Sequence, residues 1–294
     1  MSSDGTSGGD WLLPWALLGA VACNLAPNAD AAEPVRTKSP DAALAKPRPA
    51  APAAPSPSAS CPQEMVPLGG ACIDRYEAHL MVRAADGSLS RHPHYERPPS
   101  DRPFVAASAK GVMPQGYISR VEAAQACEAA GKRLCSATEW SSACRGEPAV
   151  TYGYGSKFEA GRCNVGRPHL LSRLYGENPS AWRYDEHFNS PLLLKEPKFL
   201  APAGEFEGCA SSVGAHDMVG NLHEWVADTA GPSLGTKIPM IDMIRRTLRR
   251  STGKGVFMGG FFSTTKEHGR GCEFVTIAHE PRYHDYSTGF RCCR

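Results

Sequence analysis

The hydrophobic and polar positions of this chain predict two helices from clear start and stop signals. Ser119 and Glu122 form a capping-box pattern in front of alanine-rich sequence, and Gly131 supplies the left-handed residue that ends many helices. Ser136 and Glu139 repeat the pattern before a stretch that Gly146 ends. We therefore predict helices over 119–130 and 136–145.

Three further segments have weaker periodicity. Residues 239–250 predict a short amphipathic helix with Pro239 in its first turn. Four arginines, at 245, 246, 249 and 250, fall away from its apolar stripe, which indicates a solvated face or, alternatively, a surface for an anionic ligand or membrane. Residues 72–77 partly alternate as a half-buried strand does, and 256–258 predict a buried strand between glycines.

Composition favours turns over long elements. The 294 residues include 29 Gly and 25 Pro, and only 8% are aromatic. A net charge of +2 provides no strong field for gathering nucleic acid, so we predict no nucleic-acid partner.

The first sixty residues predict export and a spacer. Residues 11–23 are an apolar run of signal-peptide length that ends in small residues before Cys23, which resembles a lipoprotein cleavage box. We predict an export signal over 1–32, with lipid on Cys23 and a cell-envelope or extracellular location. The acidic start, with Asp4, Asp10 and no Lys or Arg before residue 11, leaves an uncleaved anchor as the alternative. Residues 33–60 are a Pro/Ala-rich segment that predicts a disordered linker, and 61–294 is the predicted folded domain.

Apart from Cys23, ten of the 11 cysteines lie between residues 61 and 293. An even set in an exported domain fits up to five disulfides. The rival explanation, a thiolate metal site, is usually marked by Cys-x-x-Cys spacing, which does not occur here. Cys292 and Cys293 would point to opposite faces of a strand, so we expect them to have different partners.

Five short motifs occur in an order that resembles the formylglycine-generating enzyme (sulfatase-modifying factor) family. They are Cys72-Ile73-Asp74-Arg75-Tyr76-Glu77, Gly131-Lys132-Arg133-Leu134 with Glu139-Trp140, Gly220-Asn221 with Glu224-Trp225, Gly259-Gly260, and Gly289-Phe290-Arg291-Cys292. The resemblance covers nearly all of 61–294. It implies one α+β domain related to the C-type lectin fold, with much irregular backbone and disulfide staples.

The resemblance also implies two disulfides. They are Cys127 with Cys292 and Cys144 with Cys272. The remaining cysteines could pair as Cys61 with Cys72, Cys163 with Cys209 and Cys135 with Cys293, but the sequence does not decide their connectivity.

Enzymes of the family bind copper(I) through two thiolates that follow the Gly-Gly pair, and with oxygen they convert a substrate cysteine to formylglycine. Here Thr264 and Gly269 stand at the two cysteine positions. Because neither residue supplies a soft sulfur ligand, we predict that copper is absent.

The family uses a Gly-Asn-x-x-Glu-Trp loop to bind calcium. The resemblance implies a calcium site made by Asn221, Glu224 and the backbone oxygens of Val219 and Leu222. Calcium prefers such hard oxygen ligands on irregular loops. The alternative is that Asn221 and Glu224 only tie the loop to neighbouring amides.

His279 and His284 are candidates for a metal site or for catalysis, because imidazole titrates near neutral pH. Ordinary hydrogen-bonded histidines are the alternative. We predict a divergent or non-catalytic binding module that holds a peptide, glycan or cell-envelope ligand where the copper pair would lie. The alternative is a metal-dependent oxidoreductase of the same superfamily.

Overall fold

The structure, a computed structural model, describes residues 61–264 and 268–294. The predicted export signal (1–32), the predicted linker (33–60) and Cys23 lie outside the described residues. Within the described ranges, no helix is long and apolar enough to cross a membrane.

Short strands of the described residues form three sheets. The strands are β1 (Met65–Leu68), β2 (Ala71–Asp74), β3 (Ala78–Arg83), β4 (Leu89–Arg91), β5 (Phe104–Ser108), β6 (Arg133–Leu134), β7 (His223–Thr229), β8 (Gly255–Met258), β9 (Val275–Thr276), β10 (Thr288–Phe290) and β11 (Cys292–Cys293). The sheet orders are β1-β2-β11-β6, β10-β7-β8-β9 and β4-β3-β5. Only β10 and β7 pair in parallel among these strands.

The α-helices of the described residues are also short. They are α1 (Arg120–Ala129), α2 (Ala137–Arg145), α3 (Leu170–Tyr175), α4 (Leu234–Lys237) and α5 (Asp242–Thr247). One turn of π-helix and three of 3-10 helix lie at Tyr184–Phe188, Pro179–Ala181, Leu193–Lys195 and Gly271–Glu273. The mixture of helices with separate sheets and long irregular connections is an α+β fold.

The two helices with capping boxes are confirmed. Ser119 and Ser136 each accept a hydrogen bond from the third helical amide, and Glu122 and Glu139 bond back to the cap. The glycines that follow, Gly131 and Gly146, have φ of +69° and +62°, as a residue that ends a helix in the left-handed region requires.

The prediction for 239–250 is too long at both ends, because helix α5 spans only Asp242–Thr247. Helix α5 begins at Asp242, because Ile241 is an extended N-cap residue, and Pro239 therefore lies in the connection before the helix. Met240 is still buried with Ile244 and Leu248, so the apolar stripe packs on the core without being helical throughout. The four arginines of this segment are exposed.

Five disulfides join the elements. They are Cys61–Cys72, Cys127–Cys292, Cys135–Cys293, Cys144–Cys272 and Cys163–Cys209. These include both pairs that the resemblance implies. Every cysteine between residues 61 and 294 is therefore bridged. The neighbours in β11 face opposite ways: Cys292 packs in the cluster around α1, and Cys293 packs in the cluster around Trp140.

Candidate functional site

Charged side chains from distant motifs meet in the interior between β7 and the C-terminus. Arg291, fully buried, donates through Nε and Nη2 to the two carboxylate oxygens of Glu224, both at 2.6 Å. Trp140 of α2 donates its indole N–H to Glu224 Oε2 at 2.7 Å. The remaining guanidinium donors reach the carbonyls of Asp74 (3.0 Å) and His216 (2.8 Å). Glu224 is thus an ion-pair partner held by three N–H donors.

Two more buried carboxyl groups lie beside this pair. Glu77 accepts from the amide of Leu222 at 3.0 Å and from the side chain of Asn221. Burial, reinforced by the charges of Asp217 and Glu224, raises the pKa of Glu77. Burial also raises the pKa of Asp217, to about 6. Several buried carboxyl groups therefore lie near a single guanidinium, and the raised pKa values of Glu77 and Asp217 reflect burial together with this surplus of negative charge.

Two cavities meet at Thr264. The first, which we call the glycine cleft, has a volume of about 790 Å³ and is lined by Thr264 and by four glycines. These are Gly166, Gly259, Gly269 and Gly271. The rings of Tyr152 and Phe158 and the cations Lys157 and Arg270 also line it, and no described lining residue carries a carboxylate.

The second, which we call the aromatic cavity, has a volume of about 580 Å³. Its six-membered rings come from Phe188, Phe257, Phe261, Phe274, Tyr283 and Tyr286. His223, the first residue of β7, lies among them, with ring centroids 4.7 Å from Phe257, 4.9 Å from Phe261 and 5.2 Å from Phe274. Burial lowers the pKa of His223 to about 3, so the ring is neutral near neutral pH.

Residues 95–294 match the family described as the sulfatase-modifying factor enzyme 1-like domain. The chain belongs to this family. The match covers more than half of the chain and confirms, with the elements described above, the predicted α+β fold of the formylglycine-generating enzyme type. Strands β1 to β4 precede the matched residues, yet β2 pairs with β11 and β3 pairs with β5.

Solved structures similar to this sulfatase-modifying factor domain are distant. The Major Tropism Determinant P3c variant is 14% identical with a TM-score of 0.41, and the match covers 79% of this chain and 52% of that one. The I1 variant is 13% identical with a TM-score of 0.41, and the match covers 79% of this chain and 52% of that one. The U1 variant is 14% identical with a TM-score of 0.40, and the match covers 81% of this chain and 54% of that one. The chain spans about half the length of these structures. No curated protein matches closely enough to count as a relative.

The family's copper positions carry no ligand in this sulfatase-modifying factor domain. Thr264 Oγ1 accepts a hydrogen bond from the amide of Phe261 at 2.6 Å. Gly269 has φ of +116°, and a Cβ built there would lie 2.4 Å from the carbonyl oxygen of Glu273. That separation is far below van der Waals contact, so the backbone at this position excludes a side chain. The residues present do not fit a bis-thiolate copper(I) centre.

The predicted calcium ligands are engaged with nitrogen donors. Asn221 Oδ1 accepts from Asn164 at 2.8 Å and from the amide of Ala201 at 3.0 Å, while Glu224 is paired with Arg291. This is the alternative in which Asn221 and Glu224 tie the loop to its neighbours. A cation at Glu224 would face a guanidinium on the same carboxylate, so the arrangement does not favour calcium there. Calcium at this loop, with Val219 and Leu222, stays a prediction.

The structure places the two candidate histidines on different cavities. His279 lines the aromatic cavity and stacks on Tyr283, with centroids 3.8 Å apart. His284 lines a separate cavity with Arg97 and Arg282, and its Nδ1 lies 2.7 Å from Asn189 Oδ1. Among residues 61–264 and 268–294, no three His, Cys, Asp or Glu side chains are arranged to hold a metal ion.

Proposed function

We propose that this sulfatase-modifying factor domain is a binding module that holds a peptide in the glycine cleft and does not form formylglycine through thiolate-bound copper. The observation that carries the proposal is that all cysteines between 61 and 294 are used in disulfides, while Thr264 and Gly269 occupy the copper positions. Soft sulfur ligands are what copper(I) requires. The glycine cleft therefore contains Thr264 and Gly269 without the thiolate ligands that the copper chemistry needs.

The lining of the glycine cleft supports an extended, acidic peptide as the occupant. At Gly166 a Cβ would stand in open space, so its absence lets a ligand's main chain approach the domain's own backbone closely. The Cβ positions of Gly259, Gly269 and Gly271 are instead filled by the domain's own atoms. Phe158 is 56% exposed and offers an apolar ring at the cleft. Lys157 and Arg270 add two positive charges with no carboxylate among the described lining residues, which favours a ligand that carries Asp or Glu.

The proposal includes export, which places this module outside the reducing cytosol. Five disulfides persist only in an oxidising compartment in most organisms. A lipid on Cys23 would then hold the domain at the cell envelope, where peptide ligands of surface proteins are within reach.

We expect the purified, EDTA-washed domain to take up less than stoichiometric copper(I) and to leave a Cys-x-Pro-x-Arg peptide unchanged. Elemental mass spectrometry measures the copper content of the protein. Mass spectrometry of the peptide measures its conversion, because formylglycine formation would change the peptide's mass. A family enzyme that has both cysteines is the positive control. Thr264→Cys with Gly269→Cys should not restore activity, because Glu273 occupies the space of the second side chain. Stoichiometric copper with aldehyde formation by the unaltered domain would refute the proposal.

We expect a fluorescein-labelled hexaglutamate peptide to bind the domain, and Lys157→Ala with Arg270→Ala to weaken that binding at least tenfold. Both changes remove exposed cations from the cleft, so the folded domain should be unaffected. Arg246→Ala with Arg249→Ala, which removes two exposed arginines of the segment around α5, is the matched control for overall charge. Fluorescence polarisation measures the affinity of the unaltered domain and of both double variants for the labelled peptide. An equal loss in both double variants would indicate nonspecific attraction and contradict a peptide site at the cleft.

A further inference from the structure

The walls of the aromatic cavity form a continuous series of rings. Phe274 and His223 are 5.2 Å apart, His223 and Phe257 4.7 Å, Phe257 and His279 5.7 Å, and His279 and Tyr283 3.8 Å. Phe257 lies between His223 and His279; it stacks on His279 with an interplanar angle of 10°, and His279 stacks on Tyr283 with an angle of 19°. These stacked rings turn their faces mainly toward one another, whereas the half-buried ring of Phe261 meets His169, Phe262 and Tyr286 in edge contacts.

The cavity also contains an uncompensated carboxylate. Asp285 is 5% exposed, and its oxygens accept from the hydroxyl of Tyr283 at 2.5 Å and from the amide and hydroxyl of Ser287 at 2.8 and 2.7 Å. These donors are neutral. In the part of the chain that the structure describes, 61–264 and 268–294, no lysine or arginine lines the cavity and Asp285 has no ion-pair partner.

Three of the four histidines that line the cavity add little positive charge near neutral pH. Burial lowers the pKa of His169, His223 and His279, and that of His223 falls to about 3. His223 is 6% exposed, and its Nδ1 has no hydrogen-bond partner among the described atoms. A buried imidazole without a partner costs free energy unless something else is bound beside it. The cavity wall therefore combines aromatic rings, the carboxylate of Asp285 and the Nδ1 atom of His223, which has no hydrogen-bond partner among the described atoms.

We propose that the aromatic cavity binds a quaternary ammonium compound, with its methyl groups against the ring of Phe261 and the surrounding aromatic lining and its charge toward Asp285. Aromatic faces attract such cations without requiring hydrogen bonds. This suits Asp285, whose oxygens are already occupied by protein donors and would bond a primary ammonium poorly. The proposal goes beyond the peptide module, because it depends on the aromatic cavity and not on the glycine cleft.

The test is isothermal titration calorimetry of the domain with choline and with 3,3-dimethyl-1-butanol, a neutral molecule of the same shape with carbon in place of nitrogen. We expect choline to bind at least tenfold more tightly. Equal binding of the two would show an apolar cavity only, and binding of neither would show no site; both results overturn the proposal.

Variants locate the site. Asp285→Asn and Phe261→Leu should each weaken choline binding at least tenfold, whereas Tyr95→Leu, a half-buried aromatic outside the cavity, should leave it unchanged. Phe261 is half-exposed, so its variant stays informative if Asp285→Asn disturbs the turn with Ser287. Choline binding that survives Phe261→Leu unchanged overturns the proposal.

A further titration with phosphocholine separates two sources of the same cation. Preference for phosphocholine supports a lipid or envelope headgroup, and preference for choline supports the free compound. The hexaglutamate test depends on Lys157 and Arg270, whereas the choline test depends on Asp285 and Phe261. Failure of the peptide module and failure of the aromatic cavity as a binding site therefore give different results.

Discussion

Replacement of Arg291 by methionine is expected to destabilise the folded domain by about 3–5 kcal/mol, the range for removal of one partner of a buried ion pair. The variant leaves Glu224 fully buried without its guanidinium and close to Glu77 and Asp217. Methionine fills much of the volume of the arginine stem, so the loss reports charge more than packing. Urea unfolding at pH 7, with the disulfides kept oxidised, measures the difference.

Arg133→Met is the matched control. Arg133 bonds Glu139 through two nitrogens at 2.6 and 2.8 Å, which is the same kind of pair, but its side chain is 50% exposed. An exposed pair of this type contributes about 0–1 kcal/mol. Adding Glu224→Gln to Arg291→Met should recover part of the loss, because glutamine is neutral and still accepts from Trp140. Equal losses in the two single variants would contradict the role given to Arg291.

The same variant has a defined pH dependence. A carboxyl group whose pKa is raised by folding binds its proton more tightly in the folded state, so its contribution to stability increases as the pH falls through the raised value. The pKa of Asp217 is raised to about 6, and that of Glu77 is also raised. Loss of the guanidinium raises both further. The destabilisation by Arg291→Met should therefore be smaller at pH 5 than at pH 7.

The local elements could be predicted from sequence because their signals lie within a few residues. Ser119 with Glu122 and Ser136 with Glu139 each form a complete capping box, and both helices are found within a residue of the prediction. The segment around α5 gave an apolar stripe without such a cap. Its burial is therefore as expected, but its start differs, since periodicity alone does not distinguish an extended buried residue such as Met240 from a helical one.

The buried charge network could not be predicted, although every member stands in or near a motif that was noticed. Arg291 and Glu224 are 67 residues apart, and Asn221 and Glu77 are 144 apart. Nothing local in the sequence indicates that these groups meet, because the chain must first form β7, β10 and β11. The calcium prediction used Asn221 and Glu224 without their nearby donors, and the donors change what those oxygens can bind.

The sequence shows which residues stand at the copper positions, but it does not show the geometry around them. The replacement of two thiolates by Thr264 and Gly269 is visible in the sequence. The close approach of Glu273 to Gly269 is not, and it is this contact that excludes a restored cysteine. The aromatic cavity was missed because its rings come from five separate stretches of chain, each of which is an ordinary core segment by its own pattern.

Removal of both long-range disulfides at β11 is expected to cost more than twice the removal of either one. Cys127–Cys292 and Cys135–Cys293 close loops of 165 and 158 residues. Cys292 and Cys293 are adjacent in sequence, however, and Cys127 and Cys135 are separated by only a short segment. While one bridge remains, the other closes only a short effective loop, so its loss should cost about 2–3 kcal/mol. Loss of the second opens a loop that the Cys144–Cys272 bridge still shortens to roughly 30–40 residues, so it should cost about 4 kcal/mol more.

Cys-to-Ser pairs at each bridge, alone and together, test this non-additivity by thermal and urea unfolding. The Cys61–Cys72 bridge, whose separation is 11 residues, is the control: its removal should cost about 3 kcal/mol and add independently to either long bridge. The position of β11 explains why two bridges occur there. This two-residue strand lies between β2 and β6 and pairs with both. One disulfide joins one of its faces to α1, and the other joins the opposite face to the segment before α2. Strictly additive losses would mean that each bridge acts on native packing and not on the unfolded chain.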